Sequence, residues 1–97
     1  MRKTQMDFAR LDCKFVRDSH ARIISIRATT PDLAKEMIAE IAYRVKLLQE
    51  GKSLVNRPIT QRWGQCISCG DEQPDGYGGD CGFCIVARAK YRALQNQ

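Results

Sequence analysis

The sequence predicts an α+β fold: a β-hairpin, an amphipathic helix, and then a cysteine-rich module that ends in a second helix. Three observations predict it. Apolar and polar residues alternate with period two at both ends of the stretch 11–28. A helical period of about 3.6 residues runs through 31–50 between a capping threonine and a glycine. Two CxxC pairs, Cys66/Cys69 and Cys81/Cys84, are crowded into the last third of the chain. The expected organisation is a ββα unit over 1–51, a connector over 52–64 and a cysteine module over 65–97.

In the hairpin, Leu11, Cys13 and Phe15 alternate with Asp12 and Lys14, and Ile24, Ile26 and Ala28 alternate with Ser25 and Arg27. Val16 and Ile23 depart from the pattern. Asp18, Ser19 and His20 supply turn chemistry between the strands. For the helix, Thr30 is a good N-cap, Pro31 suits the first helical position, and Asp32 favours the positive helix end. Ala34, Met37, Ile38, Ile41, Val45 and Leu48 form the expected apolar stripe. Lys35, Glu36, Glu40 and Arg44 are expected to face elsewhere, and Gly51 to end the helix. A unit of about 40 residues is close to the lower limit of independent stability. The stretch GKSLVNRPITQRWG, which contains the connector, has no clear period, although Leu54, Val55, Ile59 and Trp63 are available to pack on the core.

The cysteines carry the chemistry. Zinc takes four ligands in a tetrahedron, a CxxC turn places two sulfurs on one side of it, and two such turns complete the shell. Gly70 allows a left-handed knuckle after the first pair, and Gly82 relieves crowding within the second. The intervening DEQPDGYGGD is polar and turn-forming, so it needs a crosslink to become ordered. One structural zinc ion held by Cys66, Cys69, Cys81 and Cys84 is the expectation. A last helix starting near Phe83 would place the second pair at a helix N-terminus, where the dipole favours thiolates, in a treble-clef-like arrangement. The loaded site carries −2, which takes the formal +5 of the chain to about +3.

Rival readings fit less well. CGFC at 81–84 looks like a thioredoxin-type redox pair, but that fold places most of its sheet after the motif. An iron–sulfur cluster also takes four cysteines, and two disulfides would need an oxidising compartment. Cys13 falls on the apolar face of a strand and reads as a small buried hydrophobe. His20 reads as a solvated turn residue. Asp71, Glu72, Asp75 and Asp80 form an acidic loop beside the metal, read either as solubilising charge or as a partner surface. A closed four-thiolate shell leaves no position for water, so an enzyme is not expected.

The longest apolar run, Phe83 to Ala87, is far short of the roughly 20 residues of a membrane span. The opening MRKTQMDFARLD lacks the apolar core of a signal peptide, and a cytoplasmic protein is expected. Seven Lys/Arg against three acids lie in residues 1–30, whereas 52–97 hold six against four. Arg57, Arg62 and Trp63 precede the first knuckle, and Arg88 and Arg92 share a face of the last helix. These five are the candidate partner or nucleic-acid residues. No pattern of base-reading side chains is visible, and aromatics with arginine favour protein docking slightly over direct nucleic-acid contact.

The stretch CISCGDEQPDGYGGDCGFCIVARAKYRALQ resembles the zinc finger of the TraR/DksA family, small bacterial and phage proteins that bind RNA polymerase. The likeness lies in CxxCG, a polar loop, and CxxC running into a basic terminal helix. The loop is shorter here, and the N-terminal part reads as ββα where that family has a long helical hairpin. The resemblance implies zinc ligation by Cys66, Cys69, Cys81 and Cys84, and transcriptional regulation through RNA polymerase. In length, basic balance and opening, the whole chain is similar to small accessory proteins of lambdoid phages, among them anti-RecBCD proteins that bind and modify the host recombination nuclease. That likeness implies a non-enzymatic docking protein in the host cytoplasm.

Overall fold

In a computed structural model that describes residues 13–60, 62–73, 76 and 78–96, the elements follow in the order β1 (Cys13–Arg17), β2 (Ile23–Ala28), α1 (Pro31–Gln49) and α2 (Gly82–Gln95). This is the mixed α+β order that the periodicities predict. Leu11, Asp12, Asp75 and the side chain of Cys13, to which the sequence assigns roles, lie outside the described residues.

Asp18 closes the hairpin. Its Oδ1 accepts the backbone N–H groups of His20 (2.8 Å) and Arg22 (3.0 Å). The bonds from Arg22 and then His20 hold its carboxyl below the usual value. The antiparallel register pairs Phe15 with Ile26 and Val16 with Ser25, then shifts so that Arg17 pairs with Ile23 and Ile24 is left out. This bulge corrects the simple alternation: Ile24 is 64% exposed, while Ile23 packs against the core beside Ile26.

At the start of α1 the Thr30 Oγ1 accepts the Leu33 N–H at 3.1 Å, and Pro31 occupies the first turn. At its end, Gly51 N–H donates to Leu48 O (3.1 Å) and Lys52 N–H to Leu47 O (2.8 Å). This is a Schellman stop, and it uses the positive φ of Gly51 (69°).

The buried face of α1 keeps Met37, Ile41, Val45 and Leu48 of the expected stripe but is turned away from Ile38 and toward a polar pair. Leu33, Met37, Glu40, Arg44 and Val45 are buried, whereas Ile38 is 68% exposed. Glu40 and Arg44, expected to face elsewhere, are 6% and 1% exposed. The helix is turned because it packs on both β2 and α2, and its polar pair finds partners on the side of the cysteines.

One continuous core results. Phe15 from the hairpin, Leu33 and Met37 from α1, Leu54 from the connector, and Phe83 pack together with the four cysteines. Phe15 and Phe83 meet edge to face at 5.9 Å. Of the connector's named apolar residues only Leu54 is buried; Val55, Ile59 and Trp63 are exposed. Gly82 does relieve crowding, but against the hairpin: a Cβ there would lie 3.0 Å from the Phe15 ring and 3.1 Å from Ile26. Among the described residues, no helix is long and apolar enough to cross a membrane.

The N-cap gives a direct test of α1. Thr30→Ala removes the acceptor of the Leu33 N–H and should lower the unfolding free energy by about 1 kcal/mol in urea denaturation, while Thr30→Ser stays near wild type.

Candidate metal centre

The first cysteine pair sits on a knuckle held by backbone hydrogen bonds. Gly70 N–H donates to Cys66 O (3.0 Å) and Cys66 N–H to Asp71 O (2.9 Å), while Gln65 and Glu72 form an isolated antiparallel bridge. Gly70 has φ +85°, and a Cβ there would lie 2.2 Å from the Arg57 carbonyl oxygen, so both its conformation and its surroundings demand glycine. The connector is fastened to this knuckle. Asn56 and Arg57 donate their N–H groups to Cys69 O at 2.8 and 3.0 Å. The buried Gln65 side chain donates to Pro58 O and Gly70 O and accepts from Thr60 N–H.

The second pair is delivered by α2. Cys81 is its N-cap residue and makes no side-chain capping bond, and Cys84 lies three residues on, on the same face. The helix begins at Gly82, one residue before the expected start. Both sulfurs therefore sit where the helix dipole favours negative charge.

The four sulfurs converge. All lie within 4.8 Å of one another, with Cys66 to Cys84 and Cys69 to Cys81 both at 3.8 Å. Four thiolates at about 2.3 Å from one ion would stand about 3.8 Å apart along the edges of a tetrahedron, so the spacing fits a single ion. It is far too wide for a disulfide, whose sulfurs are about 2.05 Å apart. All four residues are fully buried. The cluster could hold one metal ion, with zinc the typical occupant.

Packed this closely, the thiols cannot all ionise on their own. Hydrogen bonds with Cys69, Cys81 and Cys84 hold the Cys66 thiol below its usual value. Those with Cys66, Cys69 and Cys81 push Cys84 above it. Cys66 Sγ also accepts backbone N–H groups from Cys81 (3.2 Å), Ser68 and Cys69 (both 3.4 Å).

Arg44 reaches this cluster from α1. It donates from Nη1 to Cys84 Sγ at 3.0 Å and to Cys81 Sγ at 3.6 Å, from Nη2 to Asp71 Oδ2 at 2.9 Å, and from Nε to Glu40 Oε2 at 2.6 Å. Its guanidinium carbon lies 5.5 Å from the centre of the Phe83 ring. Burial works against its charge, but Cys81, Cys69, Cys84 and Glu40 outweigh that and raise its pKa above the usual value. Asp71 is buried beside it, and its Oδ1 accepts from Asn56 (3.0 Å) and Arg57 (3.1 Å).

The candidate partner residues are placed unevenly around this centre. Arg57 pairs with Asp71, Arg62 with Glu72, and Arg88 with both Asp80 and Ser68. Three members of the acidic loop are thus partners of arginines within the same chain. Trp63 is 79% exposed and lies over the backbone of Gly78, and Arg92 is exposed on α2. His20 stays in the exposed hairpin turn, its ring nitrogen 3.2 Å from Ser19 Oγ.

The sequence alone assigns no role to Asn56, Gln65 or Gln73 and places Glu40 and Arg44 in solvent. One signal does point to the last two. Leu33, Met37, Glu40, Arg44 and Leu47 are spaced 4-3-4-3, so the polar pair interrupts a regular apolar row. Gln73 bridges hairpin and module, accepting from Arg17 at 3.2 Å and donating to Gly79 O at 2.9 Å.

No family model, curated protein or solved structure matches this chain.

Two of the positive-φ glycines, Gly51 and Gly70, separate a stop from a knuckle. Gly51→Ala meets nothing within 4 Å and should cost about 1–2 kcal/mol, from the left-handed backbone alone. Gly70→Ala should cost more in the same urea titration and should reduce the metal bound per chain, which Gly51→Ala leaves unchanged.

Proposed function

We propose that the protein is a small, non-enzymatic zinc-binding accessory protein of the cytoplasm that docks on a host complex acting on DNA. Cys66, Cys69, Cys81 and Cys84 hold one zinc ion whose role is structural. The observation that carries this reading is the closed, fully buried group of four sulfurs. A catalytic zinc ordinarily keeps an open position for water, and four thiolates fill the shell.

Docking on protein, with nucleic acid secondary, is supported by how charge and apolar surface are distributed. Arg57, Arg62 and Arg88 are each paired with an acid of this chain, so they offer phosphates less free charge than their number suggests. Trp63 and Ile67, before and within the first knuckle, are exposed, and an exposed tryptophan is a typical anchor of protein interfaces. The choice of complex rests on the likeness to phage accessory proteins: the RecBCD nuclease is proposed as the target, and the chain as its inhibitor or modifier. RNA polymerase, which the TraR/DksA-like finger suggests, is the alternative.

Immobilised full-length protein should retain purified RecBCD and reduce its nuclease activity, and Trp63→Ala should weaken both effects by about tenfold or more. Retention of RNA polymerase in place of RecBCD would transfer the role to transcription. Retention of neither would contradict docking on these complexes. A salt titration tests the nucleic-acid reading: direct DNA binding should fall steeply with salt and weaken in Arg88→Ala and Arg92→Ala, whereas no binding at low salt excludes it.

A further inference from the structure

Given the zinc reading above, the geometry points to Arg44 as the outer countercharge of the metal centre, a positioning residue that makes retention of the ion depend on the docking of α1. Within the cluster the sulfurs are not equally supplied with donors. Cys66 Sγ accepts three backbone N–H groups. Among the described residues, no backbone N–H is directed at Cys81 Sγ or Cys84 Sγ, and the guanidinium of Arg44 is what reaches both. Hydrogen bonds to ligand sulfurs draw off charge and orient the ligands, as donors beyond the metal's own ligands do at metal sites generally.

The chemistry suits arginine in particular. A divalent ion with four thiolates leaves −2 in a site that water does not reach. A planar guanidinium spreads one positive charge over donors aimed in fixed directions: one edge at the sulfurs, Nη2 at Asp71, Nε at Glu40. Asp71 would otherwise be an awkward neighbour, with Oδ2 3.4 Å from Cys69 Sγ; Arg44 and Arg57 bind that carboxylate from either side. Because Arg44 belongs to α1 and the ligands belong to the knuckle and α2, moving the helix away would strip the centre of its buried cation. Conversely, losing the ion would leave the thiols and Arg44 to rearrange together.

Metal titration of the full chain tests this, using zinc competition with a chromophoric chelator and cobalt(II) as a spectroscopic probe. In wild type, one cobalt ion should give the intense sulfur-to-cobalt charge-transfer band of a four-thiolate site. Arg44→Met should weaken zinc binding by about 10–100-fold and move that band to longer wavelength, because the sulfurs lose their charged donor. Arg44→Lys, which keeps the charge without the fork, should fall between the two and carries the test if Arg44→Met does not fold. Arg92→Met, which removes an exposed cation of α2, should leave both affinity and band in place. Wild-type affinity and an unmoved band in the Arg44 variants would overturn the role of Arg44 while leaving the zinc site standing. Failure of the wild-type chain to bind either metal would overturn the zinc reading itself, and the role of Arg44 with it.

Discussion

Four sulfurs held within 4.8 Å of one another, out of reach of water, impose a charge constraint on everything around them. As four anions they would repel too strongly to stay together, and as four thiols they would have little to hold them in one geometry. One divalent ion would resolve this and crosslink the knuckle to α2. Bound there, the ion would leave a residual −2, which the dipole of α2, the backbone donors around Cys66 and the Arg44 guanidinium are placed to answer. The segment between the cysteine pairs is polar, and among its described residues Gln73 ties back to Gly79 O.

The same constraint explains why α1 buries a polar pair. Removing an arginine from water is costly unless its donors and charge are satisfied. Arg44 meets that condition through a sulfur pair, two carboxylates and the face of Phe83. The helix turns to place it there, and Ile38 is left at the surface as the consequence. Hairpin, helix and cysteine module thereby share one core, in which Phe83 meets both the Phe15 ring and the Arg44 guanidinium.

Much of this is legible in the sequence because it is written locally. Thr30 and Gly51 bound α1 through hydrogen bonds to residues three positions away, and the CxxC spacing prescribes which sulfurs can meet. What is not legible depends on distant partners. Hydropathy assigns Glu40 and Arg44 to solvent because it cannot see Asp71 and the sulfurs, which lie far along the chain. The bulge at Ile24 likewise depends on the partner strand, although the odd apolar residue at Ile23 already breaks the alternation. The acidic loop looks like free charge because its arginine partners are scattered along the sequence, on α1, in the connector and on α2.

Zinc K-edge X-ray absorption on the purified full chain tests most directly whether one ion binds all four cysteines. Four sulfur neighbours at about 2.3 Å, with no nitrogen or oxygen in the shell, are expected. A shell with fewer sulfurs, or a folded chain that contains no metal, would contradict a single ion held by Cys66, Cys69, Cys81 and Cys84.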